Sequence, residues 1–104
     1  MMAESIKLSR ELMSGRSYRY AARFKLFVTL IFMAAVEEHS ECGVVVRRGE
    51  LVTTVARLVE LTMLTTKQVR RALEALSKAG LILIATTPCH TIVTICNFDN
   101  YLID

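Results

Sequence analysis

Apolar residues crowd one early stretch of the chain, where Phe24, Leu26, Phe27, Val28, Leu30, Ile31, Phe32 and Met33 leave almost no polar face at helical spacing. That profile, rich in helix formers, predicts a central helix over residues 18–36. It is not a membrane span, because the apolar run at 26–36 falls well short of the roughly 20 residues that a bilayer requires. The helix stops in the polar run 37–43, whose Gly43 suits a turn.

Beyond it, the β-branched Val44, Val45 and Val46 predict a single brief strand, closed by a turn at Arg47-Arg48-Gly49. Thr53 or Thr54 then caps a helix that turns Val55, Leu58 and Val59 inward, with Thr62-Met63-Leu64 as the next link. Thr65 and Gln68 have the spacing of a capping box, in which each side chain accepts the other residue's free backbone N–H. From there Val69, Ala72, Leu73 and Leu76 form one stripe at i, i+3, i+4 and i+7, and Gly80 stands where a left-handed C-terminal cap belongs. Residues 81–87 and 91–97 are rich in β-branched types and are joined through Pro88-Cys89-His90, so they predict a hairpin. Its register is left open by an imperfect alternation, Ile82 and Ile84 against Ile92 and Ile95.

The order helix, short strand, helix, turn, capped helix, hairpin is that of a winged helix, a helix-turn-helix followed by a two-stranded wing, here with one short extra strand. The expected class is α+β, mainly α. Residues 1–17, with a weakly amphipathic piece at 6–13 ending in Ser14-Gly15, make an N-terminal arm or short helix, and residues 18–104 make the winged-helix domain.

Composition adds three constraints. The chain has 104 residues, 53% hydrophobic and 22% charged, with 4 glycines and 1 proline, which is one domain's worth of sequence and too apolar for a disordered tail. So apolar a small domain cannot easily hide every large side chain internally, so a homodimer or higher oligomer is expected. Arg10, Glu11, Arg16, Arg19 and Arg23 break up any secretory signal layout, and Cys42, Cys89 and Cys96 are an odd set without a Cys-x-x-Cys pair, which points to reduced thiols in a cytoplasmic protein.

The distribution of charge matters more than the net +3. Between positions 47 and 78 lie Arg47, Arg48, Arg57, Lys67, Arg70, Arg71 and Lys78 against Glu50, Glu60 and Glu74, whereas no lysine or arginine follows Lys78. Acids collect instead at Glu37, Glu38 and Glu41 and at Asp99 and Asp104. If the apolar stripe of the capped helix faces the core, Thr66, Lys67, Arg70, Arg71, Ser77 and Lys78 face solvent. A major groove admits one helix, and residues near its N-terminus usually reach base edges while flanking cations neutralise phosphates. The DNA-binding candidates are therefore Arg47, Arg48, Thr66, Lys67, Arg70, Arg71 and Lys78. The competing reading is an ordinary solvated face on which Glu74 pairs with Arg70 and Lys78, and a turn at Arg47-Arg48 that only blunts a sheet edge. The wing tip, residues 86–91, holds no lysine or arginine, although DNA-gripping wings are normally basic.

Catalysis and metal binding have little to rest on. His39, Cys42, Cys89 and His90 are ligand types, but adjacent Cys89-His90 fit poorly around one tetrahedral ion, so no metal or cofactor is assigned. There is no glycine-rich phosphate loop and no ordered nucleophile motif, and no enzyme is expected.

Three stretches resemble the N-terminal winged-helix domains of phage replisome organisers and DnaD-type primosome proteins. They are Lys25-Leu26-Phe27, then Arg48-Gly49-Glu50-Leu51-Val52-Thr53-Thr54, and finally residues 65–80 together with the closing strand and tail Thr94-Ile95-Cys96-Asn97-Phe98-Asp99-Asn100-Tyr101. The resemblance implies DNA binding and self-association during replication initiation, with helicase-loading or primosome proteins as partners through a further domain. Of the family's contacts, only Thr66, Lys67, Arg70 and Arg71 are carried over. Met63 stands where the family has a turn glycine, so its backbone must avoid positive φ or accept strain. Two other roles stay open for the same fold: a protein-interaction or dimerisation module that does not read DNA, and a transcriptional regulator.

Overall fold

The computed structural model describes Ser5–Ile6 and residues 21–103, with side chains from 21 to 102. Among the described residues, three α-helices pack on small antiparallel sheets in a mixed α+β arrangement. No helix among the described residues is long and apolar enough to cross a membrane.

The first helix among the described residues, α1 (Ala21–Met33), buries Leu26, Phe27, Leu30 and Ile31 in the core. It ends before the Val36 expected from its pattern. Ala35 leaves the helix to bond a distant turn, its N–H donating to Glu50 O at 2.9 Å and its C=O accepting from Gly49 N–H at 2.8 Å. Residues 18–20 of the expected helix, the Ser14-Gly15 turn and most of the amphipathic piece at 6–13 lie outside the described residues. From that piece only Ile6 is described, in the short strand β1 (Ser5–Ile6), which pairs with β7 (Leu102–Ile103).

The polar run after α1 is not a simple loop. It contains β2 (His39–Glu41), paired with β3 (Val44–Val46) across Cys42 and Gly43. Both turn residues have positive φ, 53° and 76°, the geometry of a two-residue primed turn that suits the twist of a hairpin. The valine run is therefore half of a hairpin rather than a single strand. The extra strand that joins the C-terminal sheet is a different one, β4 (Glu50–Thr53), which follows the predicted turn at Arg47-Arg48-Gly49. In that turn Glu50 N–H donates to Arg47 O at 2.9 Å and Gly49 has φ +83°. A Cβ on Gly49 would also lie 3.1 Å from the Cβ of the buried Phe98, so glycine is required there twice over.

Thr54, not Thr53, caps α2 (Val55–Thr62), accepting the N–H of Arg57 at 3.1 Å. Met63 ends α2 in the left-handed region, φ 62°, and donates its N–H to Val59 O. The strain foreseen at this position is thus accepted rather than avoided. The buried Thr62 hydroxyl donates to Leu58 O at 2.6 Å and accepts Leu64 N–H at 3.2 Å, holding the link to the next helix.

That helix, α3 (Thr66–Lys78), begins at the Thr65–Gln68 capping box and buries Val69, Ala72, Leu73 and Leu76. At its end Leu81 N–H donates to Leu76 O and Gly80 N–H to Ser77 O, with Gly80 at φ +77°. This pairing is a Schellman motif.

The last sheet runs β4–β6–β5, with β5 (Ile82–Thr86) and β6 (Thr91–Ile95) forming the predicted hairpin. Its register, left open by the sequence, sets Ile82 opposite Ile95 and Thr86 opposite Thr91. The imperfect alternation has a physical reason: both faces of β6 are used. Val93 and Ile95 enter the main core, while Ile92 packs with Ala35, Val46 and Val52 in a smaller second cluster. A 3-10 turn (Phe98–Tyr101) then brings Tyr101 edge-on to Phe27, ring centroids 5.6 Å apart.

Candidate nucleic-acid interface

The geometry of α3 follows from its two periodicities. Its apolar stripe meets α1, α2 and the start of β5. Lys67, Arg71, Glu74 and Lys78, at i, i+4, i+7 and i+11, fall in one row on the opposite side, flanked by Thr66, Arg70 and Ser77, and all seven are exposed. The capping box places Thr66 and Lys67 on the first turn, next to backbone N–H groups that a helix cannot satisfy internally.

Lys67, Arg70 and Arg71 make no ion pair among the described residues. Glu74 reaches only Lys78, at 3.9 Å with both side chains over 70% exposed, so this pair contributes little. The Glu74–Arg70 pair of the competing reading does not form among the described residues. Three cations therefore stand on an open helix face with only one carboxylate among them.

The two arginines of the β3–β4 turn differ. The Arg47 side chain is exposed, while its backbone N–H donates to Glu50 Oε1 at 2.9 Å. Arg48, grouped with the DNA candidates on sequence, has its donors engaged: Nε and Nη2 both bond Asp99 Oδ1, at 2.9 and 2.8 Å, and Nη1 donates to Val36 O at 2.7 Å. Its guanidinium also lies 5.7 Å from the centre of the Phe98 ring. Those contacts tie the turn to the 3-10 segment and give Arg48 a structural role that Arg47 does not share.

Strand register locates these groups. Glu50 pairs with Thr94 and Thr53 with Thr91, so the Arg47-Arg48 turn lies at the base of the β5–β6 hairpin, and the first turn of α2 lies beside its tip. The length of β4 separates them, about 13 Å at 3.3 Å per residue. The tip itself is closed by Thr87, which accepts His90 N–H and donates to His90 O, and it carries no lysine or arginine.

Sequence reasoning did not select Arg57. It is exposed at the third position of α2, where a capping box places Glu or Gln and where a cation opposes the helix macrodipole. That departure from the local rule, Thr-x-x-Arg in place of Thr-x-x-Glu, is the signal that could have singled it out.

The β2–β3 hairpin has the opposite sign. Glu37, Glu38 and Glu41 are exposed around His39, whose Nε2 lies 3.0 Å from Glu41 Oε1 and whose Nδ1 lies 3.2 Å from Glu37 O, two acceptors that the protonated ring can satisfy together. The Glu41 hydrogen bond, followed by the bond to Glu37, raises the His39 pKa above 6.5. Among the described residues no three His, Cys, Asp or Glu side chains converge on a metal position. Compared with protein-family models, curated proteins and solved structures, the chain matches none.

Proposed function

We propose that this chain is a winged-helix module that binds duplex DNA through α3, in a replication-initiation or replisome-organising protein. The order α1, β4, α2, α3, β5, β6, with the sheet running β4–β6–β5, is compatible with a helix-turn-helix followed by a wing. The observation that carries the reading is the unpaired, exposed set Lys67, Arg70 and Arg71 opposite a fully seated apolar stripe. Cations placed this way neutralise phosphates and, on release of condensed counterions, give strongly salt-dependent binding. Lys78 adds a cation at the far end of α3, and Arg47 and Arg57 are exposed cations at the two ends of β4.

The replication role rests on the resemblance of residues 25–27, 48–54, 65–80 and 94–101 to replisome-organiser and DnaD-type domains, and a helicase-loading or primosome partner follows from the same source. An electrophoretic shift assay with Arg70 and Arg71 both changed to alanine tests the DNA reading. The double variant should bind at least tenfold more weakly than the wild-type chain, and unchanged binding excludes α3 as the reader.

A second reading, a self-associating protein-interaction module, is favoured by one observation: Phe32, Val45, Leu61, Met63 and Leu83 remain exposed. Light scattering separates the readings. A strict monomer at high concentration removes this second one, while a dimer is compatible with both.

A further inference from the structure

Glu74 is the one anion on the outer face of α3. In the row Lys67, Arg71, Glu74, Lys78 it stands between cations, yet nothing in the fold requires a carboxylate there. It is mid-helix, so it neither caps an end nor complements the helix dipole. Its single partner, Lys78, is 3.9 Å away and highly exposed. A helix serving only to hold phosphates would lose affinity by presenting an anion to a polyanion.

We infer that Glu74 is a specificity-determining residue which accepts a hydrogen bond from the exocyclic amine of a cytosine in the major groove. The inference rests on α3 being the recognition helix. An ionised carboxylate accepts and never donates. Among the four base edges, cytosine presents its N4 amine without a neighbouring acceptor, whereas adenine sets N7 beside its N6 amine, and guanine and thymine present acceptors. The carboxylate thus fits cytosine best, meets the N7 lone pair beside the amine of adenine, and is repelled by the acceptors of guanine and thymine, which makes it a selector that lowers affinity for the wrong sequence while the cations around it supply attraction.

The test is selection from a randomised duplex library with the intact chain, comparing wild type, Glu74→Ala and Glu74→Gln. Wild type should enrich sites with one fixed C·G pair. Glu74→Ala should lose about tenfold of that preference, and Glu74→Gln should move it to adenine, whose N6 and N7 a glutamine amide matches. Both variants should bind random duplex more tightly than wild type at equal salt. Wild-type binding without base preference, or an unchanged C·G preference in the variants, overturns the role of Glu74 while leaving DNA binding intact. No duplex binding by wild type overturns this inference together with the reading of α3.

Discussion

Thr65 Oγ1 accepts the backbone N–H of Gln68 at 3.1 Å, while the Gln68 side chain accepts the N–H of Thr65 at 2.9 Å. The reciprocal bonds fix the first turn of α3 from both directions and so decide where Thr66 and Lys67 stand. Changing Thr65 to alanine leaves the backbone N–H of Gln68 for water to satisfy and should cost about 1 kcal/mol. In a domain of this size that lowers Tm by roughly 4–8 °C in a thermal melt followed by circular dichroism. A melt within 1 °C of wild type would contradict the capping role.

Met63 occupies the left-handed region with its side chain 86% exposed, so it has strain without packing to offset it. A non-glycine residue there costs roughly 1–2 kcal/mol, part of which glycine returns through its greater freedom when unfolded. Met63→Gly should raise stability by about 0.5–1 kcal/mol in urea denaturation, and Met63→Ala, which keeps the strain, should not. Equal effects of the two substitutions would assign the change to the lost exposed side chain instead.

Arg48 and Arg71 are both exposed arginines in a basic stretch, but only Arg48 has carboxylate and carbonyl partners. Arg48→Ala should lower stability by about 1 kcal/mol, with the electrostatic part weakened by salt, and leave DNA affinity within twofold of wild type. Arg71→Ala should do the reverse. A large affinity loss in Arg48→Ala would return that residue to the interface.

The β2–β3 hairpin provides a pH-dependent element. His39 is more basic folded than unfolded because Glu41 and the Glu37 carbonyl accept from its protonated ring. Its contribution is therefore fully present below the unfolded pKa of 6.5 and is lost as pH rises through the higher folded value. An NMR titration of the His39 ring should give a midpoint above 6.5, moved down by Glu41→Gln; an identical midpoint in the variant would remove the assigned cause.

Much of this domain was legible where signals are local. The capping box, the α3 stripe, Gly80 and the hairpin at Pro88 need only neighbouring residues, and each took its expected place. What escaped was set by distant partners. The polar His39-Ser40-Glu41 is a strand only because three valines lie opposite, and Glu50–Thr53 is one only through β6, some 40 positions later. The engagement of Arg48 depends on Asp99, 51 positions away, so sequence proximity could not separate it from Arg47. The free state of Arg70 and Arg71 was equally hidden, since helical spacing alone permits an Arg70–Glu74 pair that the structure does not form.

The most direct test of α3 as the DNA-binding face is amide chemical-shift mapping of the intact chain during titration with duplex DNA. The shifts should concentrate on Thr66–Lys78, extend to the first turn of α2, and spare the acidic hairpin at His39–Glu41. Perturbations confined to that hairpin or to the exposed side of α1, with α3 unmoved, would contradict the account.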